Sequence, residues 1–151
     1  MPRKVSQIGN PDSIMWLRFI AVIAALALHS CSPSVNYGDA KNATNTFHHL
    51  FDSGQYAAIY GRATEGFQKS ASRDQFIGFL SRINRKMGRC GEVFIVEPGG
   101  YRSRGSDTFV ITTSTRTCIN GKSDERFVWQ MIEGKAVLFE YSANSPLFLT
   151  D

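Results

Sequence analysis

The stretch TFVITTSTRTCINGKSDERFVWQMIEGKAVLFEYS, residues 108–142, decides the fold. Its bulky residues recur at every second position, the period at which a strand presents side chains to one face of a sheet. Two turn signals divide it. Asn120-Gly121 is a strong two-residue hairpin signal and Glu133-Gly134 a weaker one, because the positive backbone dihedrals of such turns suit Asn and Gly. Strands are therefore expected over 108–118, 125–132 and 135–142. Centring the first turn on Asn120-Gly121 sets Arg116 opposite Glu125 and Thr112 opposite Trp129. Centring the second on Glu133-Gly134 sets Trp129 opposite Leu138.

Working back towards the N-terminus, residues 90–97 read as a fourth strand. If Cys90 lies opposite Cys118, the tip between them falls in the polar, Gly-containing segment 102–106, which suits a turn. That match is independent of the number of cysteines.

Ahead of Gly88 the apolar period becomes helical. Ser72-Arg73-Asp74-Gln75 is a capping box, followed by Phe76, Phe79, Leu80, Ile83 and Met87 on one stripe and closed by Gly88. A shorter helix is expected over 55–64, carrying Tyr56, Ile59 and Tyr60. Another is expected over 39–53, with Ala43, Phe47, Leu50 and Phe51 on one face and Gly54 as its stop. The fold class is α+β: two to three N-terminal helices on a curved, four-stranded antiparallel meander, forming a single domain over 39–151.

The chain has 151 residues and a formal charge of +4, with 42% hydrophobic and 20% charged residues, an ordinary globular composition. From Cys31 onward 14 cations face 12 anions, a surplus too small to argue for a nucleic-acid partner.

Residues 19–28 form a continuous apolar run of 10, preceded by Arg18. That is about half the ~20 residues needed to span a bilayer, so the run reads as the core of a signal peptide over 1–30. Leu28-His29-Ser30-Cys31 resembles the lipobox of bacterial lipoproteins, with His29 as its departure from the usual small residue. The resemblance implies lipidation of the Cys31 thiol, cleavage before Cys31 and acylation of the new amine. The chain would then sit in the cell envelope, facing the periplasm, bound to membrane through that lipid. Ser32, where an Asp would imply inner-membrane retention, leans towards the outer membrane. The competing reading is an ordinary cysteine near an ordinary cleavage site. Residues 1–14 are polar and contain Pro11, so Met15 is an alternative start. Residues 31–38 read as a tether. Export also leaves Cys90 and Cys118 as an even pair in an oxidising compartment, against a competing reading of two buried thiols.

Helices followed by a curved meander ending GKAVLFEYSANSPL, residues 134–147, resemble the cystatin-like cone of the nuclear transport factor 2 superfamily. The resemblance is to an uncharacterised bacterial family with a similar Gly-x-x-Leu-x-x-Tyr-x-x-Asn-Ser ending, from which this chain departs at Phe139-Glu140-Tyr141. It implies a cone-like domain but selects no function.

No catalytic constellation, cofactor motif or metal-ligand spacing stands out. His48 and His49 point about 100° apart on a helix and cannot grip one metal, so one is expected half-buried and the other solvated. Tyr56, Tyr60, Arg62, Trp129, Glu140 and Tyr141 are the candidates to line a pocket. Arg82, Arg85, Lys86 and Arg89 form a basic face whose plain explanation is the helix dipole. Val110, Phe127, Trp129, Met131 and Leu138 are expected on one sheet face; Phe109, Ile111, Val128, Ile132, Val137 and Phe139 are expected on the other. Helices can cover only one face. The other is left for a ligand, a protein partner or a homodimer. Two function classes follow: a non-enzymatic envelope binding module, or a cone-fold hydrolase, isomerase or dehydratase acting on a small molecule.

Overall fold

The computed structural model describes residues 37–149, less the side chains of 92–98. The signal segment 1–30, the alternative start at Met15, Cys31 and tether residues 31–36 lie outside the described residues. Helices α1 (Tyr37–Asp52), α2 (Tyr56–Gly61), α3 (Glu65–Ser70) and α4 (Arg73–Met87) come first. Strands β1 (Cys90–Arg104), β2 (Asp107–Cys118), β3 (Gly121–Ile132) and β4 (Lys135–Asn144) follow, with a final 3-10 turn at Pro146–Leu149. The sheet is an antiparallel meander in the order β1-β2-β3-β4.

Helix α4 forms as its sequence dictates. Ser72 Oγ accepts the Gln75 backbone N–H at 3.3 Å, and the Gln75 side chain accepts the Ser72 N–H at 3.1 Å. Gly88, at φ 70°, ends it. Phe76, Leu80, Ile83 and Met87 then face the sheet, each burial contributing roughly 1.5–3 kcal/mol. They meet Val110, Phe127, Trp129 and Leu138 of the inner sheet face, with Phe47 and Phe51 of α1 completing the core.

Two helical expectations are corrected. Tyr37 and Gly38, read as tether, are the first residues of α1. The helix expected over 55–64 stops at Gly61, and a separate α3 brings the helices among the described residues to four. The break has a tertiary cause: Ala63 bridges to Leu138, and the Thr64 N–H donates to the Leu138 carbonyl at 2.9 Å. Thr64 then caps α3 by accepting the Phe67 N–H.

The Glu133-Gly134 turn takes positive φ at both residues, 50° and 78°, and sets Trp129 opposite Leu138 as expected. The first turn is corrected by one residue. Ile119-Asn120 forms the tip, so Arg116 faces Ser123 and Thr112 faces Phe127. The docked end of α4 accounts for the shift. The Asn120 side chain and N–H donate to the Lys86 and Met87 carbonyls, and the Ile119 N–H donates to Arg89. Moving the tip by one leaves every side chain on its expected face.

Cys90 and Cys118 are cross-strand partners and form a disulfide. β1 runs on to Arg104 because its register shifts twice, between Cys90 and Val93 and between Val96 and Gly100. The second shift takes up Pro98, which cannot donate to a ladder and is tolerated at a bulge on an edge strand.

Candidate functional site

A polar cluster lies beneath α1 on the inner sheet face. Strand alternation that buries Val110 and Phe127 also turns Thr112, Ser114, Arg116, Ser123 and Glu125 inward, and all five are buried. Tyr141 joins them through an irregularity. Val128 pairs with Glu140 and Trp129 with Leu138, leaving Phe139 as an extra residue in β4. The bulge flips the alternation, so that Leu138 and Tyr141 share the inner side.

Glu125 accepts three hydrogen bonds: from His48 Nε2 at 2.6 Å, Ser114 Oγ at 3.0 Å and Tyr141 OH at 2.7 Å. Burial pushes its carboxyl up, but the His48 hydrogen bond and charge, the Tyr141 hydroxyl and the Arg116 charge hold it below its ordinary range. It is therefore a carboxylate at neutral pH, and His48 Nε2 carries a proton. Burial, and then the Glu125 charge, hold the Tyr141 hydroxyl well above the ordinary tyrosine value. Arg116 pairs with Asp52, its guanidinium 5.2 Å from the Phe51 ring centre.

A second chain of hydrogen bonds runs beside the first. Trp129 Nε1 donates to Thr112 Oγ1 at 3.0 Å, and Thr112 lies 3.0 Å from Thr44 Oγ1. Thr44 spends its own proton on the Ala40 carbonyl, so Thr112 is the donor between the two threonines. Both chains tie α1 to the sheet. His48 Nδ1, Arg116 Nε and Ser123 Oγ are buried without a hydrogen-bond partner among the described residues.

Three clefts open around the domain, two of them bordered by members of this cluster. One of about 220 Å³ lies between α1, α2 and the sheet, walled by Phe47, Leu50, Ile59, Trp129 and Leu138, with Thr46 and Arg62 also lining it. A second, about 370 Å³, lies between α3, α4 and β4, lined by Phe76, Phe79, Phe139, Glu140 and Tyr141 among others. A third, about 400 Å³, is a polar hollow over β2, β3 and β4, with Ser114 and Glu125 among its lining. His48 and Arg116 line none of these.

The six expected pocket residues are thus dispersed. Arg62 and Trp129 share one cleft, and Glu140 and Tyr141 another. Tyr56 and Tyr60 line neither: Asn84 donates to the Tyr56 hydroxyl, and Tyr60 donates to the Gln68 and Ala71 carbonyls. Glu140 is exposed and paired with Arg126. The expectation for the histidines is corrected too: His48 is fully buried at 3% exposure, while His49 is exposed. On the outer sheet face Ile111 and Val128 are buried, whereas Phe139 and Ile132 remain exposed. No group of three or more His, Cys, Asp or Glu among the described residues is placed to hold a metal.

No family model matches the chain, and no curated protein matches it. Among solved structures, a SEC-C motif containing protein from Rhodopseudomonas palustris aligns with a TM-score of 0.42 and 13% identity, over 68% of this chain and 77% of its own. An NTF2-like protein of unknown function from Burkholderia pseudomallei aligns with a TM-score of 0.37 and 18% identity, over 77% of this chain and 94% of its own. At these scores neither neighbour bears on family or activity, and the fold stands on its own strand order and helix packing.

Proposed function

We propose that this chain is an envelope lipoprotein whose α+β domain is a non-enzymatic binding module, held to the membrane through Cys31 and taking a small apolar ligand in the Trp129 cleft. The observation that carries the binding reading is that His48, the buried imidazole of the cluster, is shut away from open space, although its neighbours Glu125 and Tyr141 each border a cleft. A general base must come within about 2.6–3.2 Å of the proton it takes. His48 is enclosed by Phe47, Phe127 and Glu125 and lines no described cleft. The Trp129 cleft instead offers apolar walls with a cation, Arg62, beside them, the usual make-up of a small-ligand site. The lipobox resemblance at Cys31 supports the address.

The ligand half is tested by titration with anilinonaphthalene sulfonate, an apolar anion whose fluorescence rises out of water. Saturable binding is expected, abolished when the cleft is filled from β4 by Ala136→Phe or from α1 by Ala43→Leu. Unchanged binding in a filled variant that remains folded overturns the assignment of the cleft.

A further inference from the structure

The basic face of α4 merges with two other elements at one end of the domain. Arg82 and Arg85 are exposed near the end of α4, and Arg89 is exposed just beyond it. None of the three forms a salt bridge among the described residues. The β2–β3 tip is docked here through Asn120 and Ile119, as described above, and carries Lys122. Lys86 Nζ donates to the Leu147 carbonyl at 3.3 Å, which brings the 3-10 turn to the same place. No carboxylate occurs in residues 75–89, 117–123 or 145–149. Ile119, whose N–H donates to the Arg89 carbonyl, is 72% exposed, and Leu149, two residues beyond Leu147 in the 3-10 turn, is 88% exposed.

The helix dipole accounts for cations at the end of α4, but not for exposed Ile119 and Leu149 on the elements docked at the same end. Unpaired arginines around exposed aliphatic side chains are the composition of a surface that settles on anionic lipid: cations meet phosphates while the aliphatic groups enter the headgroup boundary. None of the three clefts reaches this end. We infer that the end formed by Arg82, Arg85, Arg89, Ile119 and Leu149 docks on an anionic phospholipid surface. The inference rests on the patch; the envelope reading supplies only the leaflet.

The test uses the processed, membrane-recovered chain carrying Ile119→Trp, purified in detergent and diluted into vesicles of phosphatidylcholine with or without phosphatidylglycerol, the phospholipid acyl chains being brominated to quench indole fluorescence. Its unsubstituted form gives the contribution of Trp129. Quenching of the introduced indole is expected only with phosphatidylglycerol. Each Arg→Gln change at 82, 85 and 89 lowers the docking equilibrium, read as phosphatidylglycerol-dependent quenching, about fivefold, and the three together about a hundredfold. The three Arg→Lys changes retain it. Flotation on both vesicle types with no composition-dependent quenching overturns the patch, leaves the anchor standing and turns attention to an acidic protein partner. Flotation only with phosphatidylglycerol upholds the patch and overturns the anchor. Flotation with neither overturns both.

Discussion

The His48 ring and the Glu125 carboxylate, 77 residues apart in sequence, meet at 2.6 Å in the interior, and that contact pins α1 to β3. It joins α1 to the sheet across about two thirds of the described sequence. Ser114 and Tyr141 complete the set of donors, so the buried carboxylate is satisfied from a helix and two neighbouring strands. Such an arrangement orders a core at the cost of desolvating its charges, and breaking it from one side is far more damaging than never having built it.

Glu125→Gln should lower stability by about 3 kcal/mol at neutral pH, because one amide cannot accept from all three donors. It should also flatten the acid limb. A carboxyl held low in the folded state binds fewer protons there than in the unfolded chain, so its stabilisation is complete above about pH 4.3 and lost as pH falls through the folded value. Urea unfolding of parent and variant between about pH 5 and pH 3 reads this. A parallel decline in the two proteins would contradict it.

Tyr141→Phe tests the other limb. Tyr141 stays protonated above the point, near pH 10, at which an unfolded tyrosine ionises. Its contribution is complete below that pH and is lost as pH rises beyond it. The variant should lose about 1–3 kcal/mol at neutral pH and show a shallower alkaline decline in denaturant unfolding.

Reducing the Cys90–Cys118 bond, whose cysteines are 28 residues apart, should cost about 3–4 kcal/mol with the fold retained. A Cys90→Ser, Cys118→Ser chain should unfold at correspondingly lower urea, with or without reductant.

Gly88→Ala should destabilise more than Gly134→Ala. Both positions have positive φ, but a Cβ at Gly88 would lie 2.4 Å from Ile119 Cγ2, whereas one at Gly134 meets open space. A difference of about 1–2 kcal/mol in thermal unfolding is expected.

The fold was legible because its signals are local. The capping box at Ser72, the stop at Gly88 and the turn at Glu133-Gly134 each depend on a few adjacent residues. What the sequence hid depends on distant ones. The split between α2 and α3 comes from Leu138 reaching back to Ala63 and Thr64, and the one-residue shift of the first hairpin from Asn120 docking on α4. The polar cluster was half visible: the alternation that marks Val110 and Phe127 as core also marks Arg116 and Glu125. Polar residues on a core face were the available signal. Tyr141 was legible as a pocket residue, but its place beside Glu125 was hidden by the bulge at Phe139, which a strict strand alternation does not foresee.

The most direct test of the account is the intact mass of the native protein recovered from the membrane fraction. The account predicts a chain beginning at Cys31, with residues 1–30 removed and acyl lipid on that cysteine. A soluble protein that retains residues 1–30, or a Cys31 without lipid, would contradict it.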